Sequence, residues 1–162
     1  MKETFKMLGG VFNLKIYENQ ADFEKGIVKK EIEVHNKMTT ASFAVISGLL
    51  GNTGSQTAFT YLGVGTDSTA VSAAHTALQA EITDSGLARA SATVSRVTTT
   101  QTNDTLQLLK QWTVTGTKTI EEIGIFNDAA TGTMLCRALT SGQALVNTNV
   151  ITATYKFVIV GN

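Results

Sequence analysis

The adjacent glutamates Glu121 and Glu122 are the first place to look for chemistry, because two neighbouring carboxylates can share general acid and base roles. They lie in the segment 119–137, TIEEIGIFNDAATGTMLCR, which predicts a complete β-hairpin with a turn rich in Asn, Asp and Gly. Successive side chains of a strand point to opposite faces of the sheet. The two glutamates therefore cannot act as a carboxylate pair, and we expect this hairpin to pair and pack rather than to react.

The other motifs with catalytic or binding potential are each incomplete. Gly63-Val64-Gly65-Thr66 follows a predicted strand, but it lacks the third glycine of a dinucleotide site and the Gly-Lys-Ser/Thr ending of a P-loop. His35 and His75 lie far apart in the chain, without the spacing of an HExxH metal site. Four aspartates lack the spacing of an EF-hand calcium loop: Asp67, Asp84, Asp104 and Asp128.

The single cysteine, Cys136, excludes an internal disulfide and a multi-cysteine zinc site. It falls in a predicted strand, where we expect a buried and unreactive thiol. These observations predict no catalytic residue, no cofactor and no metal ion. We therefore expect that the chain is not an enzyme.

The composition favours a β-protein with little surface charge. The 162 residues include 26 threonines and no proline, and threonine favours extended strands. Thirteen basic and thirteen acidic residues cancel, so we expect neither nucleic acid nor a membrane as a partner. Charged residues make up 16% of the chain, below the roughly 25% of ordinary domains, which indicates a surface covered by other protein. The N-terminal sequence lacks the apolar run of a signal peptide, so we expect synthesis and folding in a cytoplasm.

The hydrophobic pattern predicts short strands at regular intervals and one or two short helices. The predicted strands are 11–17, 27–34, 58–64, 88–100, 106–114, the two strands of 119–137, and 150–160. A helix is predicted from Thr39 or Thr40 to Leu50, with Gly51 as its left-handed stop, and two helical turns are predicted over 75–82. The first helix is apolar on more than one side, so we expect it to lie on a sheet and be well covered.

These elements predict a mainly β fold, an antiparallel β-sandwich or jelly-roll-like domain. We expect one domain over 1–162, with an N-terminal hairpin at about 1–36 as a candidate extended arm. One face of that hairpin is charged and is expected to meet solvent or a charged partner. Six residues are candidate interface contacts, being scattered basic residues and the only tryptophan: Lys29, Lys30, Arg89, Arg96, Arg137 and Trp112.

Several short motifs also occur in a specific order. First comes His35-Asn36 before the apolar helix 40–50, and then an aromatic strand that ends in Gly-x-Gly-Thr at 61–66. The segment Thr-Ala-Leu-x-x-Glu-Ile follows at 76–82. Last come Glu-x-Gly-x-Phe-Asn at 122–127, Gly-Thr-Met-Leu-x-Arg at 132–137, and a terminal alternating strand. In this order the chain resembles small virion structural proteins of tailed bacteriophages, a group of head decoration (cement) and tail-associated proteins. The resemblance spans most of the chain.

The resemblance implies a non-enzymatic virion protein whose partners are the major capsid protein, other virion proteins and copies of itself, for example in a trimer. The leading interpretation is a decoration protein that stabilises the capsid lattice. A tail, neck or baseplate component is the alternative within the same class. A carbohydrate- or receptor-binding module is an alternative of another class, and it requires Trp112, Tyr61 and Tyr155 to be exposed in one groove.

Overall fold

Two five-stranded antiparallel sheets face each other in the structure, a computed structural model that describes residues 9–159. The elements in chain order are β1 (Val11–Tyr17), α1 (Gln20–Lys25), β2 (Lys30–His35), β3 (Lys37–Met38), α2 (Thr40–Gly51), β4 (Tyr61–Gly65), β5 (Ala90–Ser91), β6 (Thr93–Val97), β7 (Thr105–Thr113), β8 (Lys118–Phe126), β9 (Met134–Leu145) and β10 (Val150–Val158). Sheet 1 has the strand order β2-β1-β10-β7-β6, and sheet 2 has the order β3-β9-β8-β4-β5. The predicted mainly β, sandwich-like fold is confirmed.

The chain passes from one sheet to the other at both edges of the sandwich. Asn36 is the single residue between β2 of sheet 1 and β3 of sheet 2. Ala92 is the single residue between β5 of sheet 2 and β6 of sheet 1. The two sheets are therefore joined along both edges by the backbone itself.

The core lies between the sheets and follows the alternation of the strands. On β1, Phe12 and Leu14 point inward and are fully buried, and on β8 Ile123 and Ile125 do the same. Tyr155 of β10 packs its ring against Phe12 at a centroid distance of 4.7 Å. These strands meet the expectation that alternating apolar residues mark the buried face of a sheet.

The N-terminal hairpin forms part of sheet 1 in the region that the structure describes. β1 lies between β2 and β10, with Leu14 opposite Ile32 on one side and Ala153 on the other. The second strand begins at Lys30, because a short helix, α1, occupies the link; Asn19 caps it by accepting a hydrogen bond from the Asp22 N–H at 3.0 Å. Residues 1–8 of the candidate arm, and Val160 at the end of the last predicted strand, lie outside the described residues.

Helix α2 begins and ends close to its predicted limits. Thr39 is its N-cap, and the Thr39 hydroxyl accepts the Ser42 N–H at 3.2 Å. The left-handed residue at the C-terminus is Asn52, with φ 50°, so the prediction of Gly51 in that position is wrong. Asparagine adopts this conformation more readily than most residues because its short polar side chain tolerates it.

The two helical turns predicted over 75–82 are wrong, because this segment is irregular. The Gln79 and Ala80 N–H groups donate to the Glu122 carboxylate rather than to acceptors one turn earlier. The Ile82 N–H donates to the Val64 carbonyl, which extends the edge of β4. Tertiary hydrogen bonds thus replace the local helical ones.

Candidate functional site

Glu122 of β8 and Arg137 of β9 are fully buried and lie side by side on the outer face of sheet 2. Gly124 pairs with Arg137 and Glu122 pairs with Leu139, so the two charged residues are diagonal neighbours on one face. The Arg137 Nε donates to Glu122 Oε2 at 2.5 Å. The pairing of β8 with β9 shifts register between Ile120 and Glu122, and the Glu121 carboxylate lies beside Gly142.

The buried pair holds a long irregular segment against the sheet. We call residues 66–89 the cover segment, because they cross the outer face of sheet 2 between β4 and β5. Glu122 accepts hydrogen bonds from the Gln79 and Ala80 N–H groups at 3.1 and 2.8 Å. Arg137 donates to the Thr69 carbonyl at 2.7 Å and to the Asp67 carboxylate at 3.2 Å. One ion pair therefore ties two distant points of the cover segment to the sheet.

A second ion pair fastens the other end of the cover segment. Arg89 donates to both carboxylate oxygens of Glu81, at 2.7 and 2.5 Å. The same guanidinium stacks 3.4 Å from the ring centroid of Phe126. It also donates to the Asp128 and Thr131 carbonyls in the β8–β9 turn. This bidentate, stacked geometry suits arginine and would not be reproduced by lysine.

Glycines on the sheet make room for the cover segment. A Cβ at Gly65 would lie 2.3 Å from Glu122 Oε1 and 2.7 Å from the Ala80 carbonyl oxygen. A Cβ at Gly124 would approach the Leu78 side chain to 3.1 Å. Leu78 packs there in a small apolar cluster with Phe126 and Met134. The Gly-x-Gly motif that ends β4 thus permits close packing of the chain rather than binding of a phosphate.

The surroundings of Asp67 favour the charged form of its carboxylate. Hydrogen bonds from Thr69, together with the nearby Arg137 charge, lower the pKa of Asp67 below its ordinary value. The His75 Nδ1 lies 3.4 Å from Arg137 Nη1. Because Glu122 and Arg137 are buried and their polar groups already contact the chain, the arrangement can anchor the cover segment but offers no reactive group to a substrate.

Cys136, on the inner face of β9, is buried as predicted. Burial raises the pKa of its thiol to about 12, so the thiolate is scarce at neutral pH.

Among residues 9–159, no three His, Cys, Asp or Glu side chains are placed to share a metal ion. Within the same residues, no helix has the length and apolar character needed to cross a membrane.

The structure does not bring the six candidate interface residues together. Arg89 and Arg137 make the contacts within the chain described above, and Trp112 is buried and donates from Nε1 to the Ala88 carbonyl at 3.0 Å. In the single chain these three side chains contact other parts of the same chain. The other three are exposed: Lys29, Lys30 and Arg96. Lys29 pairs with Glu18 at 2.5 Å, with both side chains about half exposed.

The aromatic residues of the glycan-binding alternative do not form an exposed groove. Trp112 and Tyr155 are in the core, at 4% and 0% exposure, and Tyr61 is partly buried against the Leu78 cluster. The Tyr155 hydroxyl points into the interior, where burial raises its pKa well above the ordinary value. A sugar could stack on these three rings only if the rings left their buried or partly buried positions.

The outer face of sheet 1 is the main exposed surface of the sandwich. Apart from α1, which packs Phe23 against Tyr17 at one end, no helix or strand among residues 9–159 packs over it. A groove of about 680 Å³ crosses its centre. We call this surface the open face, and its central residues are Asn13, Lys15, Glu31, Glu33, Gln107, Thr154 and Lys156. It contains the charged side of the first hairpin, which the sequence predicted to be exposed.

Helix α2 forms a second exposed surface that the sequence did not predict. The helix buries only Ser42, Val45 and Gly48. Phe43 is 50% exposed and Leu50 is 84% exposed, so the expectation that this helix is well covered is wrong for the single chain. The signal was present in its composition, since an apolar helix without charges has no side suited to water.

Comparisons of the chain with protein-family models, with curated proteins and with solved structures found no match.

Proposed function

We propose that the chain is a non-enzymatic structural protein of a tailed-bacteriophage virion, a decoration protein that binds and stabilises the major capsid lattice. The order of sequence motifs supports the virion context. The open face of sheet 1 is the observation that carries the binding proposal, because it is broad, polar and uncovered while the opposite face is closed by the cover segment.

The open face has the dimensions of a protein interface. Five strands spaced at about 4.8 Å make it about 24 Å wide, and a rise of about 3.3 Å per residue gives these strands lengths of roughly 17–30 Å. The projected area is therefore about 500–600 Å², of the same order as the ~800 Å² that each partner buries in a standard interface. A single capsid contact of this size would fill the face.

The charges on the open face suit a polar, specific contact. Lys15 and Glu31 lie 3.7 Å apart, and each side chain is more than a third exposed. Glu33 and Lys156 are exposed and make no ion pair with any residue in 9–159. Charges of mixed sign steer and orient a partner more than they add to affinity. A capsid surface with the complementary pattern would fix the orientation of each copy.

A decoration protein acts by bridging neighbouring capsid subunits and so adding buried area that opposes the pressure of packaged DNA. The Glu122–Arg137 pair and the stacking of Arg89 on Phe126 support such a role, because these contacts join the cover segment to sheet 2 on the side opposite the open face. Repetition of one contact over a symmetric lattice multiplies its stabilising effect.

The proposal is tested by binding purified protein to matching capsids that lack it, followed by co-sedimentation. We expect the double variant Glu31→Lys/Glu33→Lys to bind about tenfold more weakly or worse, equivalent to about 1.4 kcal/mol. Glu24→Lys, an exposed charge reversal on α1, is the matched control and should bind like the unsubstituted protein. Absence of binding by the unsubstituted protein, or equal binding by the double variant, would overturn the proposal.

A further inference from the structure

The groove on the open face follows the direction of the strands. Along β1 its lining takes every second residue of the chain, namely Gly9, Val11, Asn13 and Lys15. Six residue steps along a strand measure about 20 Å, so the groove is about 20 Å long. An extended chain rises about 3.3 Å per residue, and about six residues of such a chain would therefore fill the groove from end to end.

The two sides of the groove carry opposite charges. Asn13 and Thr154 lie on its floor and are partly buried. Glu31 and Glu33 of β2 stand on one side. On the other side, formed by β10 and β7, Lys156 is the one charged residue among the described lining residues. A ligand in the groove therefore has acidic groups on one flank and an ammonium group on the other.

Two of the four charged side chains in the groove already bind each other. The Lys15 Nζ lies 3.7 Å from the Glu31 carboxylate, and the Asn13 Nδ2 donates to the same carboxylate at 2.7 Å. Glu33 and Lys156 are exposed and have no such partner among residues 9–159. An occupant with one basic and one acidic group would complete the charge pairing of the groove.

The strand register fixes the separation of Glu33 and Lys156. Asn13 pairs with Glu33 of β2, and Val11, two residues earlier on β1, pairs with Lys156 of β10. The two charged residues are therefore two strands apart, about 10 Å across the groove, and offset by about 7 Å along it. Successive side chains of an extended chain point to opposite sides. Residues one or three positions apart in such a chain would reach the two sides of the groove, whereas residues two or four apart would reach the same side.

We propose that the groove binds an extended segment of the major capsid protein, about six residues long, in which a basic residue meets Glu33 and an acidic residue one or three positions away meets Lys156. The segment lies along β1, with its basic side chain towards β2. This inference rests on the decoration role proposed above, and it specifies which kind of capsid element the open face recognises.

The charges and the shape of the groove favour an extended peptide over other long ligands. A nucleic acid would place its phosphates against Glu31 and Glu33. An α-helix is about 10–12 Å across and rises about 1.5 Å per residue, so it would need about 13 residues to run the length of the groove. The four charged lining residues sum to zero, which suits a segment with one charge of each sign.

Co-sedimentation with matching capsids that lack the protein tests the charge pairing. We expect Lys156→Glu to bind about tenfold more weakly than the unsubstituted protein, because the acidic residue of the segment then meets a carboxylate. Lys25→Glu, the same change at an exposed position on α1 outside the groove, is the matched control and should bind normally. Equal binding by Lys156→Glu would overturn this inference and leave the decoration role standing. Absence of binding by the unsubstituted protein would overturn both.

Photo-cross-linking tests the extended conformation. The photoreactive residue p-benzoylphenylalanine is placed singly at Lys15 and at Val158, because Lys15 pairs with Thr152 and so lies six residue steps from Val158 along the groove. Mass spectrometry of irradiated complexes should locate both cross-links in one capsid segment, about six residues apart, with the acidic and basic residues between them. Cross-links in two separate segments, cross-links about 13 residues apart as in a helix, or a segment without that charge spacing would overturn the inference."

Discussion

Arg137 and Glu122 stabilise the protein as partners, and each is costly without the other. Both side chains are fully buried, and their carboxylate and guanidinium satisfy backbone groups at Gln79, Ala80 and Thr69. A buried ion pair adds little compared with apolar residues of the same shape, but loss of one member leaves a bare charge in the interior. The chemically versatile residues of this chain are thus used to hold the cover segment in place.

The substitution Arg137→Met should therefore be strongly destabilising. We expect a loss of about 3–5 kcal/mol in the free energy of unfolding, because Glu122 is left charged and buried. Urea denaturation followed by tryptophan fluorescence measures this loss through the buried Trp112. Arg96→Met, at an exposed position, should change stability by no more than about 0.5 kcal/mol.

A second substitution, added to Arg137→Met, separates the effect of the unpaired Glu122 charge from the effect of lost side-chain packing. Glu122→Gln/Arg137→Met removes both charges, so it should be more stable than Arg137→Met alone. A double variant that is less stable than the single one would contradict the account of Arg137 as the partner that neutralises Glu122.

Four aspartates are expected to make the folded protein less stable as the pH falls into the acid range. Asp67, Asp84, Asp104 and Asp128 all have pKa values lowered from the ordinary 3.8, chiefly by hydrogen bonds to neighbouring residues. A carboxyl whose pKa is lower in the folded state stabilises the protein above its unfolded pKa, and that contribution is lost as pH falls through the folded pKa. We expect the melting temperature to hold from pH 7 to about pH 5 and to fall below about pH 4.

Substitution of Asp104 is the best single test of this loss of stability at acid pH. Its carboxylate accepts the Thr99, Thr100 and Gln101 N–H groups at 2.7–2.9 Å in the turn before β7. Asp104→Asn should lower the melting temperature at pH 7 and make the fall in acid shallower, as measured by scanning calorimetry. If the melting temperature of Asp104→Asn falls as steeply in acid as that of the unsubstituted protein, this turn does not contribute to the loss of stability.

At the scale of elements, the strands could be predicted because their signal is local. Phe12 and Leu14 on β1, and Ile151 and Ala153 on β10, alternate with polar residues and are buried as that alternation implies. Helix α2 had a capping threonine and apolar spacing, and its limits were predicted to within a residue, whereas the short helix α1 was not predicted. The order of the strands in the sheets was not predictable, since it depends on contacts distant in sequence.

The cover segment shows why the rest of the site was not predictable. Leu78 and Ile82 have helical spacing, but the N–H groups between them bind a carboxylate more than 40 positions later in the chain. Arg89 and Arg137 were candidate contacts because they fall on predicted strands, whereas in the structure they pair with Glu81 and Glu122. A sequence pattern reports local periodicity and does not report which distant group completes a hydrogen bond.

Substitution of Gly65 tests the fit of the cover segment on the sheet. Gly65→Ala places a Cβ where Glu122 and the Ala80 carbonyl already lie, so we expect a loss of about 1–3 kcal/mol and faster proteolysis within 66–89. Gly51→Ala is the matched control, since a Cβ there has no neighbour closer than 3.7 Å and alanine favours a helix. A Gly65→Ala protein as stable and as protease-resistant as Gly51→Ala would contradict close packing of the cover segment.

At the scale of the whole molecule, the three outer surfaces have different characters. The outer side of sheet 2 is closed by the cover segment, the outer side of sheet 1 is open and polar, and α2 is exposed and uncharged. The low charged fraction of the composition is explained in part by α2 and its loop, because no Asp, Glu, Lys or Arg occurs between Lys37 and Asp67. The proposed decoration role uses the open face of sheet 1 as its binding surface.

The most direct test of the decoration role is the copy number of this chain in purified virions, measured by quantitative mass spectrometry against the major capsid protein. Our account predicts many copies, in a simple whole-number ratio to the major capsid protein, and predicts that they are lost together when the protein is stripped from the head. A small fixed number of copies that remain with isolated tails would contradict it and would assign the chain to the tail, neck or baseplate.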